Sequence, residues 1–253
     1  MRRWIKALVV LLLAFGTQWA AAQDRSQQFD TAGTAFAAGN FEEAKKGYEA
    51  LIQSGETSPE VYYNLARTFA SLDEPVAAAL NYRRALLLDP KLVRARRALA
   101  ELSQTTGLPA TSFGWKEELS GIVPPRALLL AGTVLGWIGA LLILRIAQRG
   151  PRTAPAIALS VLFLVLGIAA AAVGFVSDPM VADARTALVT SNAIVPARAT
   201  PTDNSQSISL LPPGSSVEVL RQSAGWTYCR LPDRTTAWVP SPTLTRVVPG
   251  AGT

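Results

Sequence analysis

From Gln27 to about Ser103 apolar residues recur every three or four positions, the spacing that gathers them on one face of an α-helix. Gly39-Asn40, Gly55 to Pro59, Asp73 to Pro75 and Asp89-Pro90 interrupt the pattern, so the stretch predicts five short amphipathic helices. Two uncharged apolar blocks come next. Ala127 to Leu144 is 18 residues, about 27 Å as a helix, and Ala154 to Val176 is 23 residues, about 34 Å. Both are long enough to cross a bilayer and too apolar all round to be amphipathic core helices. The last third changes period. Ala193 to Ala197, Ser207 to Leu211, Ser216 to Arg221, Trp226 to Leu231 and Thr236 to Val239 have strand character, separated by turns at Pro212-Pro213-Gly214, Ser223-Ala224-Gly225 and Pro232-Asp233. Alternation from Trp226 to Leu231 puts Thr227, Cys229 and Leu231 on one face and Trp226, Tyr228 and Arg230 on the other.

The helical part carries an internal repeat. Ala44, Tyr48 and Leu51 are matched 34 residues later by Ala78, Tyr82 and Ala85. A helix-turn-helix unit of that period resembles the tetratricopeptide (TPR) repeat. In the second copy, Tyr62, Leu65, Ala66 and Phe69 fit the first helix, and Ala78, Tyr82, Ala85 and Pro90 fit the second helix and its stop. The first copy departs from the motif in its shorter turn after Phe36, in Ala32 where glycine is usual, and in lacking a terminal proline. Leu92 to Leu102 reads as a single capping helix, with Leu99 and Ala100 in phase and Arg94, Arg96 and Arg97 on its exposed side.

Charge is distributed by segment. Residues 1–22 carry +3, residues 23–120 carry −2, residues 121–176 carry +4 and the remainder +1. The parts outside the apolar blocks are thus near neutral, which argues against nucleic acid as a partner. Met1 to Ala22 reads as a secretory signal, with Arg2, Arg3 and Lys6 before the apolar Ala7 to Phe15 and small residues at Ala20-Ala21-Ala22. An uncleaved anchor helix is the alternative, and it predicts the same side of the membrane for the helical segment after it. Arg145, Arg149 and Arg152 lie between the apolar blocks with no acidic residue, so this connection is expected in the cytoplasm and both flanks outside. Pro124-Pro125 breaks the chain before the first block, and Phe113 and Trp115 suit a membrane interface. The expected organisation is a signal peptide at 1–22, a TPR domain at 23–104, a juxtamembrane linker at 105–126, spans at 127–144 and 154–176 around a cytoplasmic loop at 145–153, a linker at 177–190, a β domain at 191–248 and a tail at 249–253.

The β domain resembles a bacterial SH3 domain. Val195, Arg198 and Pro201 match its opening strand and loop, Leu211-Pro212-Pro213-Gly214 with Val217 and Val219 its second signature, and Gly225-Trp226 and Trp238-Val239 its last two. Ala237 replaces the glycine of the final signature and Arg234 stands where a turn glycine is common, so a distorted final hairpin is expected. The resemblance implies a small SH3-like barrel that binds peptides or cell-wall material through exposed aromatics, making Trp226, Tyr228 and Trp238 the ligand-binding candidates. In its order of signal, TPR helices, membrane hairpin and SH3 domain, the chain is similar to the BatE-type TPR proteins of bacterial aerotolerance (Bat) operons. That resemblance implies a non-enzymatic envelope protein working beside membrane-bound von Willebrand factor A proteins and a MoxR-type ATPase.

The expected fold class is accordingly a multidomain membrane protein: an all-α TPR solenoid, a two-helix transmembrane hairpin and a small all-β SH3-like barrel. A TPR groove is lined by the first helix of each pair, here Glu60, Tyr63, Asn64 and Arg67, joined by Arg94 and Arg97 from the cap helix. Asn64 and Arg94 fall at phases that some TPR domains use to clamp a carboxylate, against the plainer reading of a structural asparagine and a solvated arginine. The chain has no histidine and one cysteine, Cys229, which excludes His-based triads, His-ligated zinc and a disulfide framework within it. Cys229 falls on the inward phase of its strand and is expected to be an inert thiol. No ionisable residue lies within either apolar block, and Gly132, Gly136, Gly139, Gly167 and Gly174 would permit close helix packing, a scaffold rather than a channel. These readings predict no catalytic residue, no metal and no cofactor. The expected function is an inner-membrane scaffold presenting two protein-binding modules in the periplasm, with a peptidoglycan-binding sensor as the alternative.

Overall fold

The computed structural model describes residues 23–109, 125–149, 154–176 and 185–248. The signal segment, the aromatics Phe113 and Trp115, Arg152 and the tail lie outside the described residues. The chain divides into two compact units, Met1–Leu108 and Pro109–Thr253.

The first unit is all helical: α1 (23–37), α2 (Phe41–Gln53), α3 (Pro59–Ser71), α4 (Pro75–Leu88) and α5 (Val93–Thr106). Each consecutive pair from α2 to α5 packs together. The breaks are chemically set. Gly39 and Gly55 take positive φ, Pro59 and Pro75 open their helices, and the Ser58 hydroxyl caps α3 by accepting from the Val61 amide at 3.3 Å. Ala44, Tyr48, Leu51, Val61, Tyr62, Leu65, Ala66, Ala78, Tyr82 and Ala85 form the buried spine. A side chain on Gly47 would meet the Ala32 Cβ at 2.8 Å, so the room that glycine provides at position 32 of the motif is supplied here by Gly47 on the facing helix. On α5, Leu99 is buried but Ala100 is exposed, and Arg96 turns back to donate to the Pro90 carbonyl at 2.9 Å instead of pointing to solvent.

In the second unit, α6 (Pro125–Arg149) and α7 (Ala154–Val176) lie antiparallel at backbone contact. A side chain on Gly132 would fall 2.6 Å from the Ala171 nitrogen, one on Gly139 2.8 Å from the Leu164 nitrogen, and one on Gly167 2.6 Å from the Gly136 nitrogen. Buried positions recur every seventh residue, at Gly132 and Gly139 on α6 and at Ser160, Gly167 and Gly174 on α7. The large apolar side chains point the other way, Trp137 at 69% and Leu130 at 68% exposure among them.

The β part is one antiparallel sheet of seven strands: β1 (Thr186–Val189), β2 (Val195–Arg198), β3 (Ser207–Leu211), β4 (Ser216–Ser223), β5 (Trp226–Arg230), β6 (Thr236–Pro240) and β7 (Leu244–Arg246). Their order is β3-β2-β6-β5-β4-β1-β7, so β3 and β7 are the two edges of the sheet among the described residues. The core is one face of this sheet, built from Val189, Val195, Leu211, Val217, Val219, Cys229, Leu231 and Val239 with smaller residues between them.

The expected fold class is therefore corrected to an all-α region followed by an open sheet. A barrel requires its end strands to pair, whereas β7, only three residues long, is spent on β1, and Pro212-Pro213 ends β3 without the amides that would extend it. The bacterial SH3 reading loses its structural basis with the barrel. The solenoid also fails, because two hairpins and a lone helix fall short of the three stacked repeats such an array needs. The helices α6 and α7 meet the length and composition of a membrane span, a test that a soluble core helix or a leader also passes, so a transmembrane hairpin is not part of the fold class. Strand β1 occupies part of the stretch expected to be linker. The final hairpin is not distorted: β5 and β6 pair regularly over five positions, and Ala237 sits buried opposite Cys229.

Arg234 does carry strain, with φ at 68° in the turn before β6. A side chain in that left-handed conformation costs about 1 kcal/mol relative to glycine. Arg234→Gly is expected to slow hydrogen exchange of the β5–β6 amides by roughly fivefold, through stabilisation of that size; unchanged or faster exchange would mean the turn draws on the arginine side chain.

Candidate functional site

Residues Glu60, Tyr63, Asn64 and Arg67 lie at i, i+3, i+4 and i+7 on α3 and share one stripe of that helix. Four of the six groove candidates meet there. The Arg94 guanidinium from α5 lies over the Tyr63 ring, 4.7 Å from its centroid, and donates from Nη2 to Glu60 Oε1 at 3.1 Å. Arg67 lies 5.8 Å from the same ring and 4.5 Å from that of Phe36 at the end of α1. Beneath them, Tyr63 packs on Tyr82 of α4 with ring centroids 5.8 Å apart. Burial pushes the Tyr82 hydroxyl up to about 12 and keeps it protonated.

The other two candidates are not drawn in. Asn64 is half-buried and no hydrogen bond engages its side chain among the described residues; its carbonyl accepts from the Thr68 hydroxyl. Arg97 is exposed and forms no ion pair among the described residues. The site is thus an arginine laid on an aromatic ring and already holding a carboxylate, that of Glu60. Both side chains of this pair are 50% exposed, so solvent screens it and it contributes at most about 1 kcal/mol. A carboxylate from outside can displace Glu60 at small cost. Sequence reasoning missed Phe36 and Tyr82, the two rings on which the cluster rests. Phe36 came into view only as the point where a turn shortens, and Tyr82 only as a repeat position.

The second candidate surface is the outer face of the sheet. Tyr228 and Trp238 are cross-strand partners with ring centroids 5.0 Å apart, both half-buried. The Tyr228 hydroxyl donates to Thr236 Oγ1 at 2.8 Å. Trp226 stands opposite Pro240 at the end of the same ladder and makes no ring contact with the other two among the described residues. Arg221 lies 5.6 Å from the centroid of Trp238. Strict alternation would send Arg221 to the core face. A bulge between Val219 and Arg221 inserts one residue and brings it opposite Tyr228 instead, which is why the sequence did not reveal it. Arg198 is also opposite Trp238, across the β2–β6 seam, and its Nη1 donates to the Ser205 carbonyl at 2.7 Å. The surface is therefore an aromatic pair flanked by two arginines.

Cys229 is fully buried, and its Sγ lies 3.6 Å from the Thr227 carbonyl. Burial pushes its thiol from about 9 up to about 12, with Arg246 opposing weakly. Among the described residues no three histidine, cysteine, aspartate or glutamate side chains gather as a metal site would require. No family model and no curated protein matches the chain.

The thiol yields a pH prediction. Between about pH 9 and 12 an unfolded chain releases this proton while the folded sheet keeps it, so the stability the buried thiol contributes is complete below pH 9 and is lost as pH rises toward 12. Alkylation by iodoacetamide at pH 8 is expected to leave Cys229 unmodified in the folded protein and to modify it fully in urea. Rapid labelling without denaturant would show an accessible thiolate.

Proposed function

We propose that this chain is a non-enzymatic adaptor held in the inner membrane of a bacterial envelope by α6 and α7, with the helical unit and the sheet serving as protein-binding surfaces on the periplasmic side. The observation that carries this reading is the outward-facing apolar surface of the helix pair. Only 11% and 17% of the two apolar windows is buried, whereas a soluble core helix would be mostly covered. Water does not tolerate so much continuous apolar surface, and lipid does. The small residues along the seam favour the same solvent: without a hydrophobic drive between helices, close backbone approach supplies the contact. Arg145, at the end of α6 that leads to the connection, supports a cytoplasmic bend.

Binding then falls to the Arg94–Tyr63 site, whose chemistry selects a carboxylate on an acidic or C-terminal segment of a partner. A second reading, binding to peptidoglycan, is favoured by the half-buried Tyr228–Trp238 pair on the outer face of the sheet, since sugar rings stack on such faces.

Affinity purification of the detergent-solubilised chain, compared with a Tyr63→Ala, Arg94→Ala variant, tests the first reading. Partners are expected with the unaltered chain and lost with the variant, while Glu60→Gln, which vacates Arg94, raises recovery roughly fivefold by removing an internal competitor worth about 1 kcal/mol. The same proteins recovered in equal amounts from all three would remove the groove from the account. Co-sedimentation with isolated murein that Trp238→Ala abolishes would favour the second reading.

A further inference from the structure

Outside α6 and α7, the large apolar side chains left exposed among the described residues are Val93 on α5 and three at one corner of the sheet: Ile194 at 60%, Ile208 at 48% and Leu210 at 64%. Leu210 stands opposite Pro196, and their neighbours Leu211 and Val195 are buried, so Leu210 and Pro196 lie on the outer face. Ile208 is the extra residue of a bulge, where the register of β3 with β2 passes from Ser209 to Ser207, and Ile194 leads into β2.

The outer face is graded along its strands. Ser223, Trp226 and Pro240 form one cross-strand row, and Pro196, with Leu210 beside it, comes two residues before Arg198 on β2. The next row is Arg221, Tyr228, Trp238 and Arg198. In the third, Arg230 lies between Glu218, its ion-pair partner, and Thr236, with Asp233 and Arg234 in the turn beyond. Over the four steps of β5 from Trp226 to Arg230, about 13 Å, the surface thus passes from apolar groups through rings flanked by arginines to charged pairs.

We infer that this face docks on the anionic lipid surface of the membrane that α6 and α7 cross, with Ile194, Leu210 and Trp226 at the acyl boundary and Arg198 and Arg221 at the lipid phosphates. The gradient follows depth in a bilayer interface: apolar groups reach the acyl chains, Trp and Tyr sit at headgroup level, arginines meet phosphate and ion pairs stay in water. Charge favours the same surface, since six arginines against three acidic residues give residues 185–248 a net +3. So does the tether. Only ten residue steps separate Val176 at the end of α7 from Thr186 at the start of β1, a reach of at most about 35 Å, which keeps the sheet near the bilayer and makes weak contacts effective. Sugar stacking would account for the rings but not for the leucine and isoleucines beside them. The inference rests on the membrane attachment proposed above and adds a lipid ligand to it.

Fluorescence quenching in the full chain, reconstituted into vesicles of phosphatidylcholine and phosphatidylglycerol, tests it. An apolar nitrobenzoxadiazole probe is attached at Leu210→Cys or, in the charged turn, at Asp233→Cys, while native Cys229 is buried and stays unlabelled. Lipid carrying a spin label high on its acyl chain is expected to quench the probe at 210 roughly threefold more than the probe at 233. Adding Arg221→Gln, at an exposed position, is expected to lower the docked-to-free ratio about fivefold, the effect of one arginine at an anionic surface, and vesicles of phosphatidylcholine alone should lower it further. Equal quenching at 210 and 233, quenching at 210 that neither Arg221→Gln nor removal of the anionic lipid changes, or a probe at 210 that responds to isolated murein in place of lipid would overturn the docking. Extraction of the chain from the vesicles at alkaline pH would mean that the spanning reading fails; the contrast between 210 and 233, read before extraction, decides the docking separately.

Discussion

The contact on which the proposed role depends is the one between backbones of α6 and α7. Gly132, Gly139 and Gly167 let the two helices touch main chain to main chain, leaving no room for a side chain at any of the three. Helices that close have almost no interior. Their leucines, valines and isoleucines face outward, and the proposal takes the surrounding medium to be lipid. In water such a pair would expose continuous hydrophobic surface along both helices, a state that soluble proteins avoid. In lipid the same geometry is ordinary, since dispersion contacts and satisfied helical hydrogen bonds suffice. The rest of the proposal depends on that solvent: two soluble units tethered to one membrane, and weak binding surfaces that become effective because they are confined there.

The two candidate surfaces are built from the same chemistry. In the helical unit, one guanidinium rests on one ring and neutralises a carboxylate from its own chain, an arrangement that exchanges one acid for another. On the sheet, arginines flank an aromatic pair whose hydroxyl is satisfied locally by Thr236. The one thiol in the sequence, Cys229, is buried, and burial keeps it protonated at neutral pH. In the proposed role both surfaces act by recognition of modest strength. Their shared feature is planar cation against aromatic face, which tolerates varied partners better than a deep pocket would.

Much of the local structure was legible. The helices begin and end where glycine and proline punctuate a three-to-four periodicity, and the inward set Thr227, Cys229 and Leu231 follows from alternation alone. The stripe from Glu60 to Arg67 could be placed on one face by counting. What failed was closure. Strand β7 is three residues long and β1 only four, lying inside the stretch read as a linker, so neither declared itself, and the resemblance to a barrel supplied a closure that the strands do not make. The site was only half readable for a related reason. Arg221 reaches the outer face through a bulge, and Phe36 and Tyr82 reach Arg67 and Tyr63 through the stacking of separate helices. Gly47 shows the same limit from the other side, since a motif position that looked wrong at Ala32 is compensated on the facing helix.

The most direct test of the central claim is topological. The variants Arg97→Cys and Asp233→Cys each add one exposed thiol, on the helical unit and on the sheet respectively, to a chain whose own thiol is buried. The account predicts that a maleimide unable to cross the inner membrane labels both in spheroplasts, with the chain recovered in the membrane fraction after alkaline extraction. Labelling of either site only after lysis, or release of the chain into the soluble fraction, would contradict it.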